Sequence, residues 1–173
     1  MKINKIATLV FFITFIAMSA IAQTNGVKQQ LDDRVSVKFP STPKILTPGG
    51  NTTYAVMDKD SVTYTAMVID FATVAHLDSA QLAPLKDTQE FADGLKNGIA
   101  RTAKSFEFGD ANIGKWKGYT SYDITGTNAA KKSKIYFQLV IIGSKAYSLA
   151  CIVPDAVPTK RKDDFFATAE LSH

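Results

Sequence analysis

Two long apolar runs joined by a tight turn decide the fold: Ser133-Lys-Ile-Tyr-Phe-Gln-Leu-Val-Ile-Ile142, then Gly143-Ser144, then Lys145-Ala-Tyr-Ser-Leu-Ala-Cys-Ile-Val153. Both runs are rich in β-branched and aromatic side chains, which is typical of β-strands. Gly-Ser between two such runs indicates a two-residue hairpin turn. Pro154 and Pro158 end the sheet, because proline cannot donate to a strand ladder. The sequence therefore predicts a long β-hairpin whose second strand is buried.

Shorter β-rich segments precede this hairpin. Arg34–Phe39 alternates apolar and polar residues, which is the period of a half-buried strand. Prolines and glycines then exclude a helix from residues 40–50. The other predicted strands are Thr52–Asp58 and Val62–Phe71, which form a hairpin across Lys59-Asp60-Ser61, and Phe106–Phe108, Ala111–Trp116 and Gly118–Thr125.

A long amphipathic helix is predicted between these groups of strands. An apolar residue recurs at every fourth position from Phe91 to Ile99, which gives one apolar stripe on a helix over Thr88–Lys104. Asp87-Thr-Gln-Glu90 has the pattern of a capping box, with Asp87 accepting backbone N–H bonds and Glu90 reaching back. Gly94 and Gly98 each weaken a helix by about 1 kcal/mol relative to alanine. We therefore expect close packing against the sheet at both glycines.

Two shorter helices complete the predicted secondary structure. One lies at Asp78–Leu82 and the other covers Thr159–Leu171, with Phe165, Phe166 and Leu171 turned inward. Separate runs of hairpins and helices are typical of an α+β domain. The predicted architecture is thus a mainly antiparallel β-sheet covered by helices.

The first 22 residues predict export. Lys2 and Lys5 precede an apolar run from Ile6 to Met18, and Ala20-Ile-Ala22 follows as a small-x-small cleavage signal. A basic segment, an apolar core and a cleavage signal in this order form a secretory signal peptide. A retained anchor helix needs about 20 apolar residues, whereas the run ending at Ala22 is shorter and contains polar residues.

We therefore expect residues 1–22 to be a signal peptide, residues 23–33 a flexible leader, and residues 34–173 a single domain. The mature chain from Gln23 is expected in the periplasm or outside the cell, and not embedded in a membrane after cleavage.

The charge distribution argues against a nucleic-acid partner. The net charge of +4 falls when the predicted signal peptide is removed, because Lys2 and Lys5 lie within it. Nucleic-acid binders concentrate basic residues on one face or in one run. Here the denser groups are Lys131, Lys132 and Lys134, and then residues 160–162, which two aspartates follow at once. Both groups are interpreted as solvated surface.

No catalytic or metal-binding pattern stands out in the sequence. The single cysteine, Cys151, lies in an apolar run and is predicted to be a buried core residue without a disulfide. His76, with Asp78, supplies at most two metal ligands in a surface loop, whereas a metal site usually needs three or four. We predict a non-enzymatic protein without a cofactor or a metal. An unrecognised hydrolase using a Cys151–His76 dyad is an alternative.

One segment is a candidate binding surface. Lys115-Trp-Lys-Gly-Tyr119 places the only tryptophan between two lysines. Tryptophan and tyrosine are enriched at binding surfaces. The candidate residues are therefore Lys115, Trp116, Lys117 and Tyr119. In the alternative interpretation, Trp116 only caps the core from the end of a strand.

Several segments of the sequence resemble those of a known fold family. They are Val35-Ser-Val-Lys-Phe-Pro40 followed by Pro43-Lys44, Gly118-Tyr119, the hairpin Ile135–Ile142/Ala146–Ile152, and a terminal helix with Phe165-Phe166. This pattern resembles the PsbP-like α/β/α sandwich, which includes photosystem II PsbP, Mog-type Ran-binding factors and many small exported bacterial proteins. The resemblance covers residues 33–171. It implies a non-enzymatic accessory or binding protein, and no functional residue of the family is matched here.

The leading hypothesis is an exported, non-catalytic binding or accessory protein whose partner is a protein or a small ligand. The alternative is a carrier of a small apolar ligand held between sheet and helix. The aromatic richness of the chain, with 11 phenylalanines and 6 tyrosines, favours that alternative.

Overall fold

The computed structural model describes residues 26–47 and 51–172. The predicted signal peptide and residues 48–50 lie outside the described residues. The strands are β1 (Val27–Gln30), β2 (Val35–Phe39), β3 (Lys44–Leu46), β4 (Thr53–Met57), β5 (Thr63–Asp70), β6 (Glu107–Phe108), β7 (Asn112–Trp116), β8 (Tyr119–Asn128), β9 (Ser133–Ile142), β10 (Lys145–Pro154) and β11 (Glu170–Leu171). The helices are α1 (Phe71–Val74), α2 (Ser79–Leu82), α3 (Gln89–Thr102) and α4 (Lys160–Phe166).

A large antiparallel sheet organises the molecule. Its strand order is β3-β4-β5-β10-β9-β8-β6, and β7 also pairs with β8. The predicted hairpin forms β9 and β10, which pair from Ile142 and Lys145 at the turn to Ser133 and Pro154 at the far end. Gly143 has a φ of 65°, which the first position of a type II′ turn requires. The predicted α+β class with a mainly antiparallel sheet is confirmed.

Helix α3 covers one face of the large sheet, which we call the helix face. Phe91, Leu95 and Ile99 pack against a buried cluster that includes Tyr122 of β8 and Leu139 of β9. The apolar stripe predicted from the sequence is therefore the surface that α3 presents to the sheet. None of the helices in the described part of the chain is long and apolar enough to cross a membrane.

A three-stranded sheet, ordered β1-β2-β11, and helix α4 cover part of the opposite face, which we call the small-sheet face. Because side chains alternate along a strand, Val140 and Ile142 of β9 point to this face while Leu139 points to the helix face. Phe165 of α4 belongs to an apolar cluster on this face that also contains Phe39 of β2. The centroids of these two rings are 5.3 Å apart.

The two ends of the domain differ from the sequence prediction. Val27–Gln30, within the predicted flexible leader, forms β1 and pairs antiparallel with β2. The final helix ends at Phe166, and Glu170–Leu171 forms β11 on the other edge of β2. Both strands are short and held mainly by backbone hydrogen bonds, so they need no long apolar alternation in the sequence.

Two details of α3 are corrected by the structure. Thr88, and not Asp87, is the N-cap, because its hydroxyl accepts a hydrogen bond from the backbone N–H of Phe91. The carboxylate of Asp87 instead accepts hydrogen bonds from Lys115 and Thr120. The expected close packing at Gly94 and Gly98 is wrong, because a Cβ added at either position would meet no atom within 4 Å.

Candidate functional site

An open groove lies between helix α4 and the outer part of the small-sheet face. Its volume is about 530 Å³, and its lining combines aromatic residues with charged and amide side chains. The aromatic residues are Trp116 of β7, Tyr136 and Phe137 of β9, and Phe166 of α4, and Phe137 also packs against the cluster under α3.

Strands β8 and β9 form the floor of this groove. Their register sets Asp123 opposite Gln138 and Thr125 opposite Tyr136. Directly opposite residues in an antiparallel pair share a face, so these four side chains lie side by side. Ile124, between Asp123 and Thr125, belongs to the buried cluster under α3. The floor is therefore held in place by a packed core on its other side.

Trp116 stands at one end of the groove. The turn after it has φ values of 48° at Lys117 and 86° at Gly118, as a type I′ hairpin requires. This turn pairs Trp116 with Tyr119. The Trp116 side chain is half-buried against two apolar clusters of the small-sheet face and also lines the groove. Both of its predicted roles, core packing and surface, thus meet in one side chain.

Asp123 and Gln138 form the polar centre of the floor. Burial raises the pKa of the Asp123 carboxyl above its usual value, against the opposing effects of a hydrogen bond with Gln138 and the charge of Lys162. The Oε1 atom of Gln138 is buried and has no hydrogen-bond partner among the described residues. Asp123 is therefore the acceptor that the floor presents to the groove.

Lys162 and Asp163 of α4 form the opposite wall. The Lys162 ammonium lies 5.1 Å from the centroid of the Tyr136 ring, which is within the range of a cation–π contact. The same ammonium forms an ion pair with Asp163. Together with Asp123, the groove walls carry two carboxylates and one ammonium.

The four residues predicted as a binding surface are only partly brought together. Lys117 places its ammonium 4.8 Å from the Trp116 ring and donates a hydrogen bond to the carbonyl of Ala169. Tyr119 lies beside Trp116 on the same face, but it does not line the groove. Lys115 is directed to Asp87 and Thr120, away from Trp116.

Sequence reasoning missed most of the groove residues. Asp123, Thr125, Tyr136 and Gln138 lie in two strands that were predicted, at positions where polar or amphipathic residues alternate with core residues. That alternation in the sequence indicates that β8 and β9 have a second face that is not buried in the core. The presence of Lys162 in the groove could not be predicted in this way, because it depends on where α4 packs against the sheet.

The groups considered for catalysis lie elsewhere. Cys151 is fully buried in the apolar cluster around Phe165, so its predicted core role is confirmed. Burial, with a smaller effect from the charge of Asp58, raises the pKa of its thiol to about 12. His76 is exposed in the loop after α1. Within residues 26–47 and 51–172, no group of three or more His, Cys, Asp or Glu side chains is placed to hold a metal ion.

Solved structures resemble this architecture. Cyanobacterial PsbP (CyanoP) from Synechocystis sp. PCC 6803 matches with a TM-score of 0.59 over 88% of this chain and 95% of that chain. This chain has a PsbP-like fold. Its sequence identity to CyanoP is 8%, so the similarity shows the fold alone. The resemblance predicted from the sequence phrases is confirmed at that level.

Two further matches to solved structures are more distant. LpqN, involved in cell envelope biogenesis of Mycobacterium tuberculosis, has a TM-score of 0.45 and 12% identity over 88% of each chain. A Bacteroides thetaiotaomicron protein has a TM-score of 0.44 and 12% identity over 80% of this chain, which spans only 45% of that protein. No protein-family model matches the sequence, and no curated protein matches it. The similarities therefore show the PsbP-like fold and no specific function.

Proposed function

We propose that this protein is an exported, non-catalytic binding protein and that the groove beside α4 is its binding site. The groove carries the proposal because ligand sites of about 300–1,000 Å³ typically combine aromatic walls with a few polar groups. Trp116, Tyr136 and Asp123 provide that combination. The signal-peptide pattern of residues 1–22 supports action in the periplasm or outside the cell.

The chemistry of the groove supports binding over catalysis. A nucleophilic mechanism needs an activated nucleophile with a base within hydrogen-bond reach. The Cys151 thiol is buried under apolar side chains, and its raised pKa keeps it protonated. His76 is exposed on a loop that follows α1. The groove instead presents fixed aromatic surfaces and acceptors, which suit recognition.

The lining also indicates the polarity of the ligand. The groove does lie between sheet and helix, where the apolar-carrier hypothesis places its ligand. However, Asp123, Lys162 and Asp163 line it, and covering charged groups with an apolar molecule costs free energy without compensation. An amphipathic ligand, with an apolar part for the rings and a polar part for the floor, fits better than a purely apolar one.

The proposal is tested by native mass spectrometry of the tagged protein purified from the envelope of its own host. We expect a discrete excess over the mass of the processed chain, because a bound ligand survives gentle purification. A T125F variant places a phenyl ring on the groove floor and should lose that excess. A T127F variant is the matched control. Thr127 is also exposed and lies two residues further along the same face of β8, outside the groove.

Retention of the excess mass by the T125F variant would show that the groove is not the binding site. A bare processed mass for the wild-type protein, together with unchanged Trp116 fluorescence in the presence of envelope extract, would contradict the binding function itself. Trp116 is a direct reporter, because it is the only tryptophan and it lines the groove.

A further inference from the structure

We infer that the groove binds a small molecule that carries a cationic nitrogen beside an apolar ring. This inference rests on the proposed function, because it assigns a ligand class to the same groove. Two features of the lining carry it: the carboxylate of Asp123, which is both a charge and a hydrogen-bond acceptor, and the placement of the aromatic rings.

The local charge of the groove is opposite to that of the whole protein. The chain has a net charge of +4, yet the groove walls carry the carboxylates of Asp123 and Asp163 and one ammonium, that of Lys162. Lys162 and Asp163 already form an ion pair. The charge of Lys162 also acts on Asp123, which is the exposed carboxylate of the floor. A cationic ligand beside Asp123 would add to this effect, because an opposite charge stabilises the ionised form of a carboxyl group.

The aromatic rings are already placed against ammonium groups. Lys162 lies over Tyr136 at 5.1 Å and Lys117 lies over Trp116 at 4.8 Å, both measured from the nitrogen to the ring centroid. A cation within about 6 Å of a ring centroid is attracted by the ring quadrupole. The Lys162 contact shows that an ammonium fits inside this groove, against one of its rings.

The floor presents a carboxylate acceptor to a ligand. Asp123 is an exposed residue of β8, and Gln138 beside it donates a hydrogen bond to its carboxylate. The Oε1 atom of Gln138 has no partner among the described residues, but it is buried and is not presented to a ligand. A hydrogen bond between an ionised donor and a carboxylate is about twice as strong as a neutral one, so a ligand ammonium suits Asp123 better than a neutral group does.

Lys162 then limits the affinity of a cationic ligand. Its side chain is about one-quarter exposed, so it repels a second cation in the groove without closing it. Removal of this charge in a K162M variant should therefore tighten the binding of a cation and weaken the binding of an anion. Unchanged or weaker binding of a cation in this variant would contradict the placement of a cationic ligand beside Lys162.

The experiment compares three probes that share a benzyl ring and differ in charge: benzylammonium, benzyl alcohol and benzoate. Binding to the mature protein is followed by Trp116 fluorescence excited at a wavelength that the probes do not absorb. Titration to about 50 mM covers the ~1 mM dissociation constants expected for ligands of this size. We expect benzylammonium to bind about tenfold more tightly than benzyl alcohol, with benzoate weakest.

Two aspartate variants separate the groove from general surface charge. D123N should reduce benzylammonium affinity about tenfold, to that of benzyl alcohol. D110N, at an exposed position before β7, should leave it unchanged. Circular dichroism and thermal unfolding confirm that both variants are folded.

Equal binding of the three probes, tighter binding of benzoate, or no fluorescence change with any probe would overturn the cationic ligand class. None of these results decides the proposed function, which fails separately if the T125F variant keeps its bound mass. A benzylammonium preference that survives in the D123N variant would also overturn the assignment.

Discussion

Replacement of Gly126 by alanine tests a close approach of side chains to a glycine in the large sheet. An added Cβ would lie 2.7 Å and 2.8 Å from ring atoms of Phe108 and 3.0 Å from Cγ2 of Ile135. Ordinary contacts between carbon atoms are about 3.5–4.0 Å. Phe108 pairs with Gly126 across β6 and β8, and Ile135 pairs with it across β8 and β9. The glycine therefore gives an aromatic ring room to lie across the strand.

The expected effect is a net loss of stability. Overpacking of this kind destabilises a protein by about 1–3 kcal/mol. Replacing glycine by alanine also lowers the conformational entropy of the unfolded chain, which stabilises the folded protein by about 0.4–1 kcal/mol. We therefore expect G126A to lower the free energy of unfolding by about 1–2 kcal/mol. Urea denaturation measures this change, with an accompanying fall in Tm of roughly 2–8 °C for a domain of this size.

A double-mutant cycle with F108L isolates the cause. Because leucine removes the ring that the new methyl group meets, G126A should cost at least about 0.5 kcal/mol less in the F108L background. Wild-type stability for G126A, or an equal cost in both backgrounds, would refute the packing argument.

Further predictions concern helix α3, Asp32 and Cys151. G94A should raise the free energy of unfolding by up to about 1 kcal/mol, because the new methyl group meets open space on a helix; a loss of stability in urea denaturation would contradict this. D32A should destabilise the protein by about 2–3 kcal/mol at neutral pH, because it leaves the buried Tyr147 hydroxyl and two backbone N–H groups without their acceptor. Burial raises the pKa of Asp32, but its hydrogen bonds with Lys145 and Tyr147 outweigh this and hold the pKa below its usual value. The stability that Asp32 contributes is thus complete above about pH 4 and is lost as the pH falls through the lowered pKa. The difference in unfolding free energy between the wild-type protein and D32A should therefore shrink in acid. A difference that stayed constant with pH would contradict this explanation. Cys151 should not react with a thiol reagent at pH 8 until urea unfolds the chain, because burial raises its pKa to about 12; fast labelling of the folded protein would disprove it.

Local patterns in the sequence predicted most of the large sheet. The hairpin of β9 and β10 follows from two apolar runs around Gly143-Ser144, and α3 follows from its apolar stripe. The pattern Asp87-Thr-Gln-Glu90 suggested a cap one residue too early, because the Asp87 carboxylate is engaged by Lys115 and Thr120 from a distant strand. A local motif does not reveal such a competing partner.

The groove was less predictable than the fold, because it is made by elements far apart in the chain. Trp116 was singled out for its residue type, and the structure does place it at the groove. Tyr136 and Lys162 meet only because α4, which packs against β10 and β2, also brings Lys162 over the ring of Tyr136. Lys115, two residues from Lys117 and next to Trp116, is directed to another part of the molecule. Sequence proximity therefore identified one groove residue, and strand alternation would have identified others.

The three-stranded sheet joins segments from opposite ends of the described chain. Lys28 in β1 forms an ion pair with Glu170 in β11, at 3.1 Å, and Ser172 donates a backbone hydrogen bond to Arg34. A chain that emerges from a ribosome or a translocation channel with its N-terminal side first cannot complete this sheet until residues 170–172 are free. Until then, β2 lacks the hydrogen bonds that it forms with β11 in the folded protein. The order of emergence thus makes completion of the three-stranded sheet a late step of folding, after the strands of the large sheet are already free to pair.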